Sequence, residues 1–161
     1  MAKPQISLLM PFRDAEPYLG PALVSLQKQS FTDWEVIGID DHSIDQSRLT
    51  FQSFAAADAR FKSFRAQGDG VIDALHQALA VSRGKWIGRA DADDLYPPRR
   101  LELLRKALLK AGPRHIATGR ARYFRTDSEV SDGMRRYQDW LNQTNREGSQ
   151  RINALRECPV A

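Results

Sequence analysis

Three aspartates stand within four positions near the middle of the chain, in the segment KWIGRADADDLYPPRRLE at residues 85–102. Asp91, Asp93 and Asp94 follow a short apolar run and precede two consecutive prolines. Two carboxylates about 4 Å apart repel by about 4 kcal/mol at an effective dielectric constant of 20. A raised pKa or a bound cation relieves such repulsion. The pattern therefore predicts more than a helix cap, which needs one aspartate rather than three.

A divalent cation is the favoured explanation of this aspartate cluster. The segment offers carboxylate oxygens with no thiol and no nearby histidine, a donor set that suits Mg²⁺ or Mn²⁺. These cations keep coordination positions open for water and for substrate phosphates. The simpler alternative is that Asp93 or Asp94 caps the helix expected after Pro98, because aspartate favours turns and helix N-termini.

Regular elements are needed to position these aspartates, and short apolar runs predict four strands. The strands are expected at Ile6–Met10, Trp34–Ile39, Phe61–Phe64 and Lys85–Ala90. Apolar residues at helical spacing predict helices from about Pro17 to Ser30 and at Asp45–Ala57, Val71–Ser82 and Pro98–Ala111. This alternation predicts an α/β domain with a mainly parallel central sheet and helices on both faces. The remaining residues are less regular, with a strand or hairpin expected within 116–125 and an amphipathic helix at Arg135–Asn145.

Polar residues follow each predicted strand, and open parallel sheets bind ligands beyond the carboxyl ends of their strands. The four segments are Pro11–Asp14, Asp40–Ser43, Arg65–Gly68 and Asp91–Asp94. Asp40 and Asp41 can accept hydrogen bonds from a base N–H or a ribose hydroxyl. Neither a G-x-x-x-x-G-K-[ST] loop nor a G-x-G-x-x-G after the first strand is present, so the metal, with Arg or Lys, is expected to hold the phosphates.

The composition excludes some classes of protein but does not identify the binding partner. The chain has 161 residues, a formal net charge of +4 and a single cysteine, Cys158. One cysteine excludes an internal disulfide framework and a Cys-based zinc site. The positive balance fits nucleic acid, an anionic membrane surface or a phosphorylated small molecule. With neither a signal-peptide pattern nor an apolar run of about 20 residues, a cytoplasmic location is expected.

Four motifs then occur in a familiar order. They read PFRDAEPYL, SLQKQSFTDWEVIGIDDHSID, GDGVIDALHQAL and RGKWIGRADADDLYPPRRL, between Ile6 and Leu104. This series resembles the family 2 glycosyltransferases of the GT-A fold. The resemblance implies a Rossmann-like GT-A domain and metal-dependent, inverting transfer of a sugar from a nucleotide diphosphate, commonly UDP. The acceptor would be a glycan, a lipid-linked molecule or a small molecule, and nucleic acid is not expected as a partner.

The resemblance also implies roles for individual residues. Asp41 looks like the residue that hydrogen-bonds the nucleobase. Asp93 matches the metal ligand of the D-x-D motif, with Mn²⁺ or Mg²⁺ as cofactor, and Asp91 would contact the metal or the ribose. Asp94 would cap the following helix or position the sugar. The nucleotide-binding residues are then expected to be Pro11, Phe12, Asp14, Asp40, Asp41 and Asp91.

Several positions depart from the family pattern and leave the choice of donor open. Arg13-Asp14 stands where the family has Tyr-Asn, His42 replaces the usual Gly of D-D-G-S, and His76 replaces an Asn. His42 is interpreted as a solvated turn residue, because histidine tolerates such backbone conformations. His76 is interpreted as packed or solvated on its helix rather than catalytic.

The resemblance implies a donor-binding domain at residues 1–112, followed at 113–161 by the start of a truncated acceptor-side region. The general base is then expected beyond Ala161. We therefore expect this chain to bind donor with little or no turnover, and to self-associate through its C-terminal region as a homo-oligomer. The Arg-rich stretch from Arg99 to Arg136 is either a solvated helix face or a peripheral contact with an anionic membrane.

Three other protein classes are compatible with carboxylates at strand ends. A phosphoacceptor receiver domain places its acidic pair after the first strand, whereas here the pair follows the second. A nucleotidyltransferase would carry a Gly-rich basic loop after the first strand, and Pro11–Asp14 is not one. A sugar-nucleotide-binding protein without turnover remains open, and a donor-hydrolysis assay beside a binding assay distinguishes it from an active enzyme.

Overall fold

The computed structural model describes residues 3–147 of the chain. Strands and helices alternate through the first 111 residues, and a last helix follows an irregular segment. The elements are β1 (Ile6–Phe12), α1 (Glu16–Gln27), β2 (Trp34–Asp40), α2 (Ser47–Ala57), β3 (Phe61–Arg65), α3 (Val71–Val81), β4 (Trp86–Arg89), α4 (Arg100–Ala111) and α5 (Asp132–Glu147). The four strands predicted before residue 91 and the five predicted helices are confirmed, with ends that differ by a few residues because end residues carry the weakest pattern.

The four strands form one sheet in the order β3-β2-β1-β4, and every neighbouring pair is parallel. β1 lies inside the sheet, with Ile6 beside Trp34 on one side and Trp86 on the other. All seven residues of both β1 and β2 are buried, as expected for central strands covered on both faces. The predicted α/β class with a mainly parallel sheet is confirmed.

Two apolar clusters cover the two faces of this sheet. Successive side chains of a strand point to opposite faces, so Leu8 and Leu9 enter different clusters. On one face the strands pack with residues of α1 and α2, among them Leu23 and Phe51. On the other face they pack with Ala74 and Ala78 of α3. Helices therefore cover both faces, as the sequence predicts.

A buried polar network closes the amino-terminal edge of the sheet. Glu35 is only 3% exposed, and its carboxylate accepts hydrogen bonds from the Ser7 hydroxyl at 2.7 Å and from the Arg83 backbone N–H at 3.0 Å. The Arg83 guanidinium donates to the other carboxylate oxygen at 3.1 Å. Burial alone would raise the pKa of Glu35, but these hydrogen bonds and the positive charge of Arg83 hold it below its ordinary value of 4.5.

The chain divides into two compact units, one up to Glu102 and the other from Leu103. The domain boundary expected at residue 112 stays a prediction. In the second unit, the strand or hairpin expected within 116–125 does not form, and that prediction is wrong. Side-chain amides of α5 take the place of a partner strand there: Asn142 bonds both the N–H and the C=O of Ala121, each at 2.8 Å. Within residues 3–147, no helix combines the length and the apolar character needed to cross a membrane.

Candidate functional site

The strand order reverses at β1, because the chain runs from β1 through β2 to β3 and then returns to the opposite side as β4. Open α/β sheets bind ligands at such a reversal, outside the carboxyl ends of the strands. The segments after β2 and β4 lie on opposite sides of β1, with β2 paired to β1 as far as Phe12 and β4 paired as far as Leu9. The fold thus gathers the four polar segments at one edge, as predicted.

The two aspartates after β2 have different environments. Asp40 is 1% exposed, and its carboxylate accepts the Ser43 N–H at 3.0 Å, which folds the turn after the strand. Asp41 is 6% exposed, and its carboxylate accepts the Gly70 N–H at 3.2 Å. Its own N–H donates to the carbonyl oxygen of Phe12 at 2.8 Å. Asp41 therefore joins the ends of β1 and β2 to the Gly-Asp-Gly turn before α3.

The residues at the end of β1 contribute mainly backbone to this edge. Pro11 and Phe12 are buried in the strand, and the Phe12 ring stacks on Phe51 with centroids 5.3 Å apart. A ligand at the carboxyl edge would therefore meet the backbone of Phe12 rather than its ring. Asp14 has a positive φ of 47°, and its carboxylate accepts the Ile44 N–H at 2.8 Å. It ties the loop after β1 to the loop after β2.

The segment after β4 forms a tight turn that carries Asp91, Asp93 and Asp94. The Asp94 N–H donates to the Asp91 carbonyl at 3.3 Å, and the Tyr96 hydroxyl donates to the same carbonyl at 3.0 Å. The Asp91 carboxylate accepts the Arg89 guanidinium at 2.7 Å. Asp93 is exposed. Partial burial, followed by repulsion from Asp91 and Asp93, raises the pKa of Asp94.

Residues other than these three aspartates accept the hydrogen bonds of the first N–H groups of α4. The Leu101 N–H of α4 donates to the Gln29 side-chain oxygen at 3.0 Å, and the Arg100 N–H donates to the Pro97 carbonyl at 2.9 Å. Gln29 and Pro97 thus accept hydrogen bonds from N–H groups that Asp93 or Asp94 was expected to cap. The carboxylates of the turn remain at the carboxyl edge.

A second group of possible metal ligands lies on the other side of β1. Ligand atoms of Asp41, His42 and Asp69 fall within 4.8 Å of one another. His42 has a φ of 59°, consistent with the turn role expected for it, and its Nε2 lies 2.9 Å from the Gly68 carbonyl. Asp69 pairs with Arg13 at 3.5 Å. Sequence reasoning missed Asp69, although its place shortly after β3 was a usable signal.

Each member of this second group already contacts protein. The Asp41 carboxylate, the His42 ring and the Asp69 carboxylate are held respectively by Gly70, Gly68 and Arg13. The group also contains an imidazole, whereas hard cations such as Mg²⁺ favour oxygen ligands. The assignment of the metal to Asp91 and Asp93 stays a prediction.

The chain is similar in sequence to known glycosyltransferases. The chain is 30% identical over 106 residues to the UDP-Glc:alpha-D-GlcNAc-diphosphoundecaprenol beta-1,3-glucosyltransferase WfgD of Escherichia coli, covering 65% of this chain and 41% of that protein. It is 35% identical over 101 residues to the putative glycosyltransferase EpsE of Bacillus subtilis, covering 62% and 36% of the two chains. The chain thus spans less than half the length of these relatives.

Solved structures share the fold. TarS of S. aureus in complex with UDP superposes with a TM-score of 0.59 at 24% identity, over 63% of this chain and 31% of that one. TarS in complex with UDP-GlcNAc gives 0.56 at 25% identity, over 64% and 30%. The mannosyltransferase PcManGT of Pyrobaculum calidifontis, in complex with GDP-Man and Mn²⁺, gives 0.55 at 22% identity, over 64% and 31%. The sequence profile of glycosyl transferase family 2 matches residues 7–160, and the chain belongs to that family.

Proposed function

We propose that this chain binds the nucleoside diphosphate of a UDP-sugar across the carboxyl ends of β2, β1 and β4. The sugar would be transferred with inversion to a glycan, a lipid-linked acceptor or a small molecule. The observation that carries the proposal is the pair of acidic segments on either side of β1, where the strand order reverses. The UDP complex of TarS, a protein of the same fold, supports the choice of nucleotide.

The proposed base site lies at the end of β2. Asp41 would accept a hydrogen bond from a pyrimidine N–H, with Asp40 beside it to hold the turn. The buried carboxylate of Asp41 suits this role because, among residues 3–147, the Gly70 N–H is the donor that it accepts from, and a carboxylate can accept several hydrogen bonds. Pro11, the Phe12 backbone and Asp14 would border the nucleoside.

The proposed cation site lies in the turn after β4. Asp93 and Asp91 would hold Mn²⁺ or Mg²⁺, and burial together with repulsion from these two carboxylates raises the pKa of the neighbouring Asp94. When bound, the cation would stabilise the charge of the departing diphosphate. The Arg89 guanidinium, 2.7 Å from Asp91, supplies part of that positive charge from the protein itself.

A thermal-shift series tests the proposed function. The full chain would be heated with UDP, UDP-glucose, UDP-GlcNAc, GDP and GDP-mannose, each with and without Mn²⁺. We expect the UDP compounds with Mn²⁺ to raise the melting temperature most, because a ligand that binds only the native state stabilises it. No shift with any UDP compound, or a larger shift with GDP compounds, would contradict the proposed donor.

Asp41→Asn tests the base site. The amide keeps the shape but presents one donor where the carboxylate had only acceptors. We expect UDP affinity to fall by about 1–3 kcal/mol, which is the usual penalty for a buried polar group left without its partner. Calorimetry on the variant measures this change, with Asp69→Asn as the matched control. If Asp69→Asn abolishes Mn²⁺-dependent binding while Asp41→Asn is silent, the nucleotide and the cation sites have been assigned to the wrong groups.

The acceptor is proposed to be presented at an anionic membrane surface. Residues 103–161 carry 12 Lys and Arg against 6 Asp and Glu, whereas residues 1–102 carry 12 against 14. Phe124 and Met134 are exposed in the basic part. We expect the chain to float with phosphatidylglycerol vesicles at low salt and to be released near 1 M salt, where the screening length is about 3 Å. Equal binding to neutral phosphatidylcholine vesicles would argue against this electrostatic contact.

A further inference from the structure

A glutamine far from any proposed ligand is bound to the segment that carries the proposed cation ligands. Gln29 lies just beyond the C-terminal end of α1 and is 4% exposed. Its side-chain NH₂ donates to the carbonyl oxygens of Tyr96 and Pro97, at 3.2 and 2.8 Å. Its side-chain oxygen accepts the N–H of Leu101 at 3.0 Å. One buried amide thus holds both the end of the loop after β4 and the start of α4.

Residues close to Gln29 form hydrogen bonds with other backbone groups of this loop. The Ser25 hydroxyl accepts the N–H of Tyr96 at 3.0 Å, and the Ser30 N–H donates to the Pro98 carbonyl at 2.7 Å. Pro97 and Pro98 have no N–H of their own and cannot donate within the loop, and the Pro97 carbonyl also accepts the Arg100 N–H at 2.9 Å. Each of the carbonyls of residues 96, 97 and 98 thus accepts a hydrogen bond from Gln29 or Ser30, beside the end of α1.

Tyr96 links this loop to the aspartate turn through a hydrogen bond. Its ring is buried, and its hydroxyl donates to the Asp91 carbonyl, which is also the acceptor of the Asp94 N–H. On the other side of the turn, the Ala90 N–H donates to the Leu9 carbonyl of β1. The turn is thus fixed at one end by the sheet and at the other by α1 through Gln29 and Tyr96.

We infer that Gln29 and Tyr96 are positioning residues for the cation site: they hold the backbone of the Asp91–Asp94 turn, which carries the proposed ligands Asp91 and Asp93. This inference rests on the proposed function, because the cation site belongs to it. Neither side chain would contact the cation or the nucleotide. Two carboxylates that bind one small ion must lie at fixed distances from it, so the affinity for the ion depends strongly on the geometry of the loop. The affinity of a base pocket on a different strand depends on that loop less.

Gln29→Met and Tyr96→Phe test this inference. Methionine keeps approximately the length of the side chain without its hydrogen bonds, and phenylalanine removes only the hydroxyl. The matched control is Glu35→Gln, which weakens a buried hydrogen-bond network at the opposite, amino-terminal edge of the sheet. Two measurements would be made on the full chain: amide hydrogen exchange of residues 90–99 without metal, and UDP affinity with and without Mn²⁺.

We expect residues 90–99 to exchange about tenfold faster in both variants but not in Glu35→Gln, because local opening follows the loss of local hydrogen bonds. The affinity for UDP with Mn²⁺ should fall about tenfold, whereas the affinity for UDP alone should stay within about twofold. A merely structural role would lower the melting temperature in all three variants and leave this ratio unchanged. If Gln29→Met does not fold, Tyr96→Phe alone gives the same comparison.

Three results would overturn the inference. Unchanged exchange in folded Gln29→Met and Tyr96→Phe would mean that these residues do not hold the loop. Faster exchange with unchanged Mn²⁺-dependent affinity would mean that the loop shape does not matter for the cation. Loss of UDP affinity both with and without Mn²⁺ would place the effect at the nucleotide as a whole. Failure of the proposed function has a different signature, since the unaltered chain would then show no Mn²⁺-dependent UDP binding at all.

Discussion

Asp93→Ala is expected to abolish Mn²⁺-dependent UDP binding while leaving the fold intact. Asp93 is exposed in the turn after β4 and supports none of the hydrogen bonds that shape that turn. Its removal also relieves repulsion on Asp94, whose raised pKa is due to burial and then to Asp91 and Asp93. The metal-free variant should therefore unfold at the same temperature as the parent or slightly above it. Calorimetry with UDP and Mn²⁺, and thermal unfolding without them, measure the two effects.

Asp139→Ala is the matched control for this variant, because it removes an exposed aspartate from α5. It should leave nucleotide binding unchanged. Binding of UDP with Mn²⁺ by Asp93→Ala as tightly as by the parent chain would show that Asp93 is not the ligand. The group formed by Asp41, His42 and Asp69 would then be the next candidate for the cation.

Glu35→Ala should produce a large loss of stability. The substitution removes a buried carboxylate that accepts from the Ser7 hydroxyl, from the Arg83 N–H and from the Arg83 guanidinium. Hydrogen bonds to charged groups contribute about 1.5–3 kcal/mol each, and buried donors left unpaired add to the loss. We expect the free energy of unfolding to fall by about 3 kcal/mol. Urea denaturation measures it.

The pH dependence of this loss identifies its origin. Because the folded-state pKa of Glu35 is lower than its ordinary value of 4.5, its stabilising contribution is complete above that value. The contribution disappears as pH falls through the lowered pKa, where the folded state must also take up the proton. The difference in stability between the parent and Glu35→Ala should therefore narrow in acid.

Glu129→Ala provides the contrast, since Glu129 forms an ion pair with Arg135 but its side chain is 90% exposed. Exposed pairs contribute about 0–1 kcal/mol. A loss in Glu35→Ala no greater than that in Glu129→Ala would show that the buried network does not stabilise the sheet.

The alternation of apolar runs and helical spacing was enough to predict the α/β class, the four strands and the five helices. These patterns are local. A central parallel strand is buried on both faces, so its residues form a continuous apolar run that can be recognised in the sequence. The acidic segments at the ends of β2 and β4 were also visible, because the motif residues are contiguous along the chain. The family followed from their order and spacing, and the match over residues 7–160 confirms it.

Other features depend on residues that are distant in sequence and meet only in the folded chain. No local pattern shows that Gln29 holds the carbonyls of Tyr96 and Pro97, 67 and 68 residues away. In the same way, Asp69 joins Asp41 and His42 only because β2 and β3 are neighbours in the sheet. Phe12 was expected among the nucleotide-binding residues, and the pleat of β1 directs its ring into the core against Phe51.

The segment 116–125 shows most clearly the difference between what a local pattern allows and what tertiary contacts decide. Its composition allowed a strand, but a strand needs hydrogen-bond partners along its length, and the sequence does not say what supplies them. In the folded chain, Gln138 and Asn142 of α5 bond the backbone of Tyr123 and Ala121. Amide side chains from a helix thus satisfy backbone groups that a neighbouring strand would otherwise satisfy. Local sequence determined which segments could be regular, and the tertiary structure decided which partners their polar groups found.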